Sequence, residues 1–140
     1  MEVVRAQGGN TAQVAKQDEV RLAVPAMPEF LRLARVTAAG LASRLGFTFD
    51  QVEDLRLAID ELCFGLTGAN GRAGTVEVRF VLNEGTLEVH GVGHFNEPME
   101  HPVLSELSQL ILDALVDEHS LMAAEGGPQF RLFKRREPAR

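Results

Sequence analysis

The hydrophobic pattern of this chain predicts an α/β (α+β) two-layer sandwich: a mixed five-stranded sheet covered on one face by helices. Three observations lead there. Segments of period two and period 3.6 follow one another in the order β-α-α-β-β-α-β-β. Four of the strand segments pair off across short glycine-containing turns, as hairpins do. The 140 residues are 45% hydrophobic and 24% charged, which suits one core and one domain rather than a disordered chain.

Residues 1–18 mix Gly, Asn, Gln, Thr and charges without a period and are expected to be a flexible tail. Glu19 to Val24 alternates polar and apolar, a half-buried strand. Pro25 and Pro28 end it, and Pro28 suits the first position of a helix. In that helix Phe30, Leu33, Thr37, Leu41 and Leu45 recur at steps of three and four as the expected core stripe, and Gly46 is the stop. The second helix has the sharpest start. Thr48-Phe49-Asp50-Gln51 fits a capping box, with Phe47 and Val52 placed for a hydrophobic staple. Its stripe is Val52, Leu55, Ile59, Leu62 and Leu66, broken by Gly68, Asn70, Gly71 and Gly74. Thr75–Leu82 and Thr86–Val92 read as a hairpin around Asn83-Glu84-Gly85. From Gly91 to Pro102 the alternation gives way to a loop. Pro102 opens a third helix with Leu104, Leu107, Ile111 and Leu115 on one face, and two strands follow around Gly126-Gly127. The domain is expected over residues 19–136, with 137–140 as a frayed end.

Composition narrows the function. With 14 Lys+Arg against 20 Asp+Glu, the net charge of −6 argues against a general nucleic-acid binder, and with no Trp or Tyr the usual base-stacking platforms are missing. No apolar run approaches the roughly 20 residues of a membrane span, and the first residues lack the pattern of a secretory signal. Cys63 stands alone, which fits a reducing cytoplasm and is the pattern of a small buried hydrophobe. His90, His94 and His101, with Glu97 and Glu100, cluster around the glycine-rich loop, but neither paired cysteines nor helical histidine spacing fixes a metal geometry, so no metal site is assigned. Lys134-Arg135-Arg136 reads as a solvated strand end.

The stretch Val24-Pro25-Ala26-Met27-Pro28-Glu29-Phe30-Leu31, with Ala42-Ser43-Arg44-Leu45-Gly46-Phe47 and Val52-Glu53-Asp54-Leu55-Arg56-Leu57-Ala58-Ile59-Asp60-Glu61-Leu62-Cys63, resembles the anti-sigma-factor serine kinases of bacterial stress and sporulation switches. These are small relatives of the histidine-kinase and gyrase ATPase fold. The resemblance covers roughly residues 20–136 and is strongest over the first two helices. It implies a protein that holds a sigma factor away from RNA polymerase and is displaced by an anti-anti-sigma partner, which the kinase inactivates by phosphorylating a serine. It also implies a homodimer formed through the N-terminal strand and first helix, with an exposed edge at Val20–Val24 as a place for it.

Four devices of that family's chemistry can be looked for residue by residue. A glutamate on the second helix, the candidate general base, is matched by Glu61. An asparagine one turn later, the Mg²⁺ ligand, is replaced by Gly65. The Asp-x-Gly box that binds adenine falls on Val89-His90-Gly91-Val92-Gly93-His94-Phe95, which offers no Asp. The glycine-rich phosphate turn falls on Glu106-Leu107-Ser108-Gln109, which offers no Gly. Gly65, Gly91 and Gly93 are therefore expected to mark a vestigial nucleotide site, with no cofactor used. The rival reading keeps ATP and Mg²⁺ and makes Glu61 the base of an active serine kinase. Ala34-Arg35-Val36-Thr37 matches the family segment whose arginine contacts both partners. Arg35, with Arg32 and Thr37, is the expected partner-binding set, a guanidinium being suited to bidentate pairing with a carboxylate. The plain alternatives are a solvated glutamate at Glu61 and an ordinary surface charge at Arg35.

Overall fold

The computed structural model describes residues 2–7, 17–97 and 102–138. The elements follow as β1 (Glu2–Gln7), β2 (Asp18–Pro25), α1 (Pro28–Arg44), α2 (Phe49–Thr67), β3 (Gly74–Asn83), β4 (Thr86–Phe95), α3 (Glu106–Leu115), β5 (Glu118–Met122) and β6 (Gln129–Arg135). The two-layer class is as expected: α1, α2 and α3 lie on one sheet. The sheet itself differs from expectation. It has six strands in the order β1-β2-β3-β4-β6-β5, and every neighbouring pair is antiparallel. With two consecutive helices between β2 and β3 the chain reverses three times, so β3 returns antiparallel to β2. The β5–β6 hairpin then places β6 beside β4. The sixth strand comes from the expected tail, where Glu2–Gln7 pairs residue for residue with β2. Val20–Val24 is therefore an inner strand rather than an open edge. The expected loop from Gly91 also shortens, because β4 stays paired with β3 as far as Phe95. His101 and Glu100 lie outside the described residues.

The core lies between the helices and the sheet's inner face, filled by Leu22, Val24, Val76, Val78, Phe80, Leu87, Val89, Phe130 and Leu132 from the strands. From α2, Leu55, Ala58, Ile59, Leu62 and Leu66 enter it, close to the expected stripe. On α1 the expected stripe is rotated. The buried positions are Leu31, Ala34, Ala38 and Ala42, while Phe30 is exposed and Leu33, Thr37 and Leu41 are only half-buried on a flank. Alanines let the helix axis approach the sheet closely, so small residues rather than bulky ones mark the buried side. On α3 only Leu112 is fully buried, and Leu107, expected on the inner face, is exposed.

Local signals set the boundaries. Thr48 Oγ1 accepts from the Gln51 amide at 3.1 Å and Gln51 Oε1 accepts from the Thr48 amide at 3.3 Å, completing the capping box. Gly85 takes φ 73° in the β3–β4 turn, a conformation glycine adopts without strain. The third helix starts later than Pro102 because Ser105 is its cap, accepting from the Ser108 amide at 3.0 Å. The basic end is not simply solvated. Lys134 is buried and donates to the Leu115 carbonyl, and Arg136 donates to the Leu45 carbonyl at 2.9 Å, so two cations complement the C-termini of α3 and α1.

Candidate functional site

Asp60 and Glu61 are neighbours on α2, about 100° apart around the helix, and the structure sends them to opposite sides. Asp60 Oδ2 accepts from Arg35 Nη1 of α1 at 2.8 Å. Glu61 Oε2 accepts from Ser108 Oγ of α3 at 2.9 Å. Two candidate regions result, one on each flank of α2.

On the α1 flank lies a cleft of about 240 Å³ lined by Leu31, Arg32, Arg35, Asp60, Cys63 and Phe64 among others. Arg32 and Arg35 share it because they are three residues apart on one helix. Thr37 does not join them: two residues beyond Arg35, it lies half-buried on the other flank of α1. Arg35 is thus neither a free surface charge nor an isolated anchor. It is half-buried and paired, and its Nε is enclosed without a hydrogen-bond partner. The floor includes Cys63, whose thiol is pushed up to about 12 by burial, with the Asp60 charge adding to the effect. It is a packed side chain here, not a nucleophile.

The other flank carries Gly65, while Gly91 and Gly93 lie on β4, and each of these glycines singled out in the sequence faces a side chain of this protein. A Cβ added at Gly65 would stand 2.9 Å from Leu121 Cδ2 and 3.1 Å from Leu104 Cδ2. At Gly91 it would meet the Phe130 ring, 2.6 Å from Cζ, and at Gly93 the Phe95 ring, 2.5 Å from Cζ. Phe130 and Phe95 lie on β6 and β4, and Arg72 sits over the Phe95 ring at 5.2 Å from its centroid. Glu61 is closed off on the same side by Ser108, which also accepts from the Ser105 hydroxyl at 3.1 Å. Sequence reasoning did not find Asp60, Leu104, Leu121 or Phe130 as parts of these regions, and placed Ser108 there only within the segment matched to the phosphate turn. All of them act through contacts between elements, for which a linear pattern carries no signal. Among the described residues no group of three or more His, Cys, Asp or Glu could hold a metal ion, and no helix is long and apolar enough to cross a membrane.

No family model matches the chain. It is 36% identical over 77 residues to the serine-protein kinase RsbW of Bacillus pumilus (strain SAFR-032), a match covering 51% of this chain and 48% of that protein. To the RsbW of Bacillus subtilis (strain 168) it is 39% identical over 75 residues, covering 51% and 47%. To that of Bacillus mycoides (strain KBAB4) it is 28% identical over 130 residues, covering 79% and 81%. The matched segment thus spans about half the length of the first two relatives and most of the third. The resemblance to the anti-sigma-factor serine kinases read from the first two helices stands: this chain is similar to proteins named serine-protein kinase RsbW over more than three quarters of its length.

Proposed function

We propose that this protein is an anti-sigma regulator that works by binding, without ATP. On this reading it sequesters a stress-type sigma factor through the α1–α2 cleft around Arg35 and Arg32 and gives it up to an anti-anti-sigma partner competing for the same arginine. The observation that carries the ATP-free part is the packing at the three glycines. A magnesium-binding asparagine at position 65 would have to displace Leu104 and Leu121, and the glycines matching the adenine box lie under Phe130 and Phe95. At these matched positions the residues do not suit Mg·ATP: they supply neither the metal's side-chain oxygen nor the adenine acceptor. The resemblance also supports a homodimer formed through the N-terminal strand and α1.

Two measurements test this reading together. Calorimetric titration with ATP and Mg²⁺ is expected to give no heat at millimolar nucleotide. Purified stress-type sigma factor is expected to be captured by the wild type and lost with Arg35→Glu. Micromolar nucleotide binding, with phosphorylation of an anti-anti-sigma protein abolished by Glu61→Ala, would establish the serine-kinase reading instead. Absence of any sigma capture by the wild type would sink the anti-sigma role whatever the nucleotide result.

A further inference from the structure

The side of the helical layer away from α1 is unusual for a surface that faces water. Five of the ten residues of α3 are leucine or isoleucine, yet only Leu112 is fully buried. Leu107 and Leu110 are each 66% exposed. On α2, Leu57 is 55% exposed and has Glu53, Asp54, Asp60 and Glu61 three and four residues away on the helix surface. Phe64, 58% exposed, lines the Arg35 cleft instead and is not part of this surface. Gly65 backs onto Leu104 and Glu61 holds Ser108, so α3 runs antiparallel along α2 with its exposed leucines beside that helix. The charge on the same two helices is one-sided. They carry Asp50, Glu53, Asp54, Asp60, Glu61, Glu106 and Asp113 against the single Arg56, whereas α1 carries Arg32, Arg35 and Arg44 against Glu29 alone.

From this we infer that the α2–α3 face is a docking surface for a basic amphipathic helix of a partner, separate from the Arg35 cleft. The apolar side chains Leu57, Leu107 and Leu110 take the partner's apolar stripe, in the way a helix seats in a groove. The surrounding carboxylates select lysine and arginine on its flanks and speed the encounter. The charge argues against a second copy in this place, because a two-fold contact would set one acidic face against another. An acidic or neutral helix would meet the same repulsion or gain nothing from the carboxylates.

The test uses the full-length protein and a labelled, amidated peptide of about 14 residues, roughly four turns of helix, with leucines at i, i+3, i+4 and i+7 and arginines between them. A scrambled peptide of the same composition has the same charge but no apolar face. Fluorescence anisotropy is expected to show the ordered peptide binding at least about ten-fold more tightly than the scrambled one, a difference of about 1.4 kcal/mol. The double variant Leu107→Gln/Leu110→Gln is expected to erase that preference with its melting temperature unchanged, both residues being exposed. Arg35→Glu is expected to leave it intact, so failure of the sigma-capture reading does not touch this result. Equal binding of the two peptides, or an unchanged preference in the leucine variant, overturns the proposal. So does sedimentation showing wild-type self-association that Leu107→Gln/Leu110→Gln abolishes, which would assign the face to a second copy.

Discussion

Gly91→Ala puts the packing at the glycines to its sharpest test, because a single methyl group decides it. Gly91 is opposite Phe130 in the β4–β6 register, and the added carbon would lie 2.6 Å from Cζ and 2.7 Å from Cδ2 of that ring. Phe130 is 1% exposed, so the ring has no open space to swing into. Overpacking of this kind costs about 1–3 kcal/mol, and contact with several ring atoms at once places the cost at the upper end. Replacing a strand glycine recovers about 0.5–1 kcal/mol of backbone entropy, which leaves a net loss of about 2 kcal/mol. At this chain length each kcal/mol moves the midpoint by about 3–4 °C, so thermal melts followed by circular dichroism are expected to fall by about 7 °C. A second background separates ring overlap from other causes. Phe130→Leu alone is expected to be destabilising, and in that background Gly91→Ala should cost about 1 kcal/mol less than in the wild type. Equal costs in the two backgrounds, or a Gly91→Ala protein that melts with the wild type, would show that the ring moves aside readily. A ring that yields so easily would leave room for a base, and the ATP-free reading would lose its main support.

Other consequences can be checked on the same protein. Gln51 is buried, with Nε2 donating to the Arg135 carbonyl at 3.0 Å and Oε1 accepting from the Thr48 and Glu137 amides. Gln51→Ala is therefore expected to lower urea-derived stability by about 2 kcal/mol, against about 1 kcal/mol for the cap variant Thr48→Ala. Cys63, its thiol held at about 12, should resist a thiol reagent at pH 8 in the native protein and react at once in denaturant; rapid native labelling would contradict its burial. His90 is lowered from its ordinary 6.5, first by burial and then by the Arg79 charge. Below that value the unfolded chain takes up a proton that the folded one resists, so stability is expected to fall as pH drops below about 6.5. Denaturant midpoints for His90→Gln should show a flatter dependence over that window, and identical profiles would refute the assignment.

How much of this was legible in the sequence depends on the range of the interactions. The start of α2 was readable because Thr48 and Gln51 are three residues apart and satisfy one another. The two hairpins were readable because their turns are short and their alternation is local. The core face of α1 was not. Ranking residues by bulk selects Phe30, Leu33 and Leu41, whereas contact with the sheet selects Ala34, Ala38 and Ala42, where the backbone comes closest. The edge strand Glu2–Gln7 was missed because its pairing is set by main-chain bonds to β2 rather than by an apolar period. Lys134 looked like a solvated terminus because the carbonyl it serves, that of Leu115, belongs to a helix 19 positions earlier. Of the expected site, Arg32 and Arg35 come together and Thr37 does not, while Glu61 lies on α2 bonded to Ser108.

The adjacent acids on α2 explain why the two flanks differ in what they can do. A partly exposed ion pair such as Arg35–Asp60 contributes about 0–1 kcal/mol, so on the proposed reading a partner's carboxylate can take over the guanidinium at little cost, and Asp60 holds Arg35 in position until then. The bond between Glu61 and Ser108 is different in kind because it ties one element to another. For Glu61 to orient an incoming hydroxyl it would first have to release Ser108. Making room beside it means lifting α3 and the segment before it, which uncovers Gly65 and the leucines packed on it, Leu104 and Leu121, and disturbs the buried Leu112. Exposing an aliphatic side chain costs about 1.5–3 kcal/mol, so that motion opposes the whole closure of the helical layer rather than one hydrogen bond. The proposed exchange of partners at Arg35 requires no such opening, and this contrast supports a binding role at the outer surface.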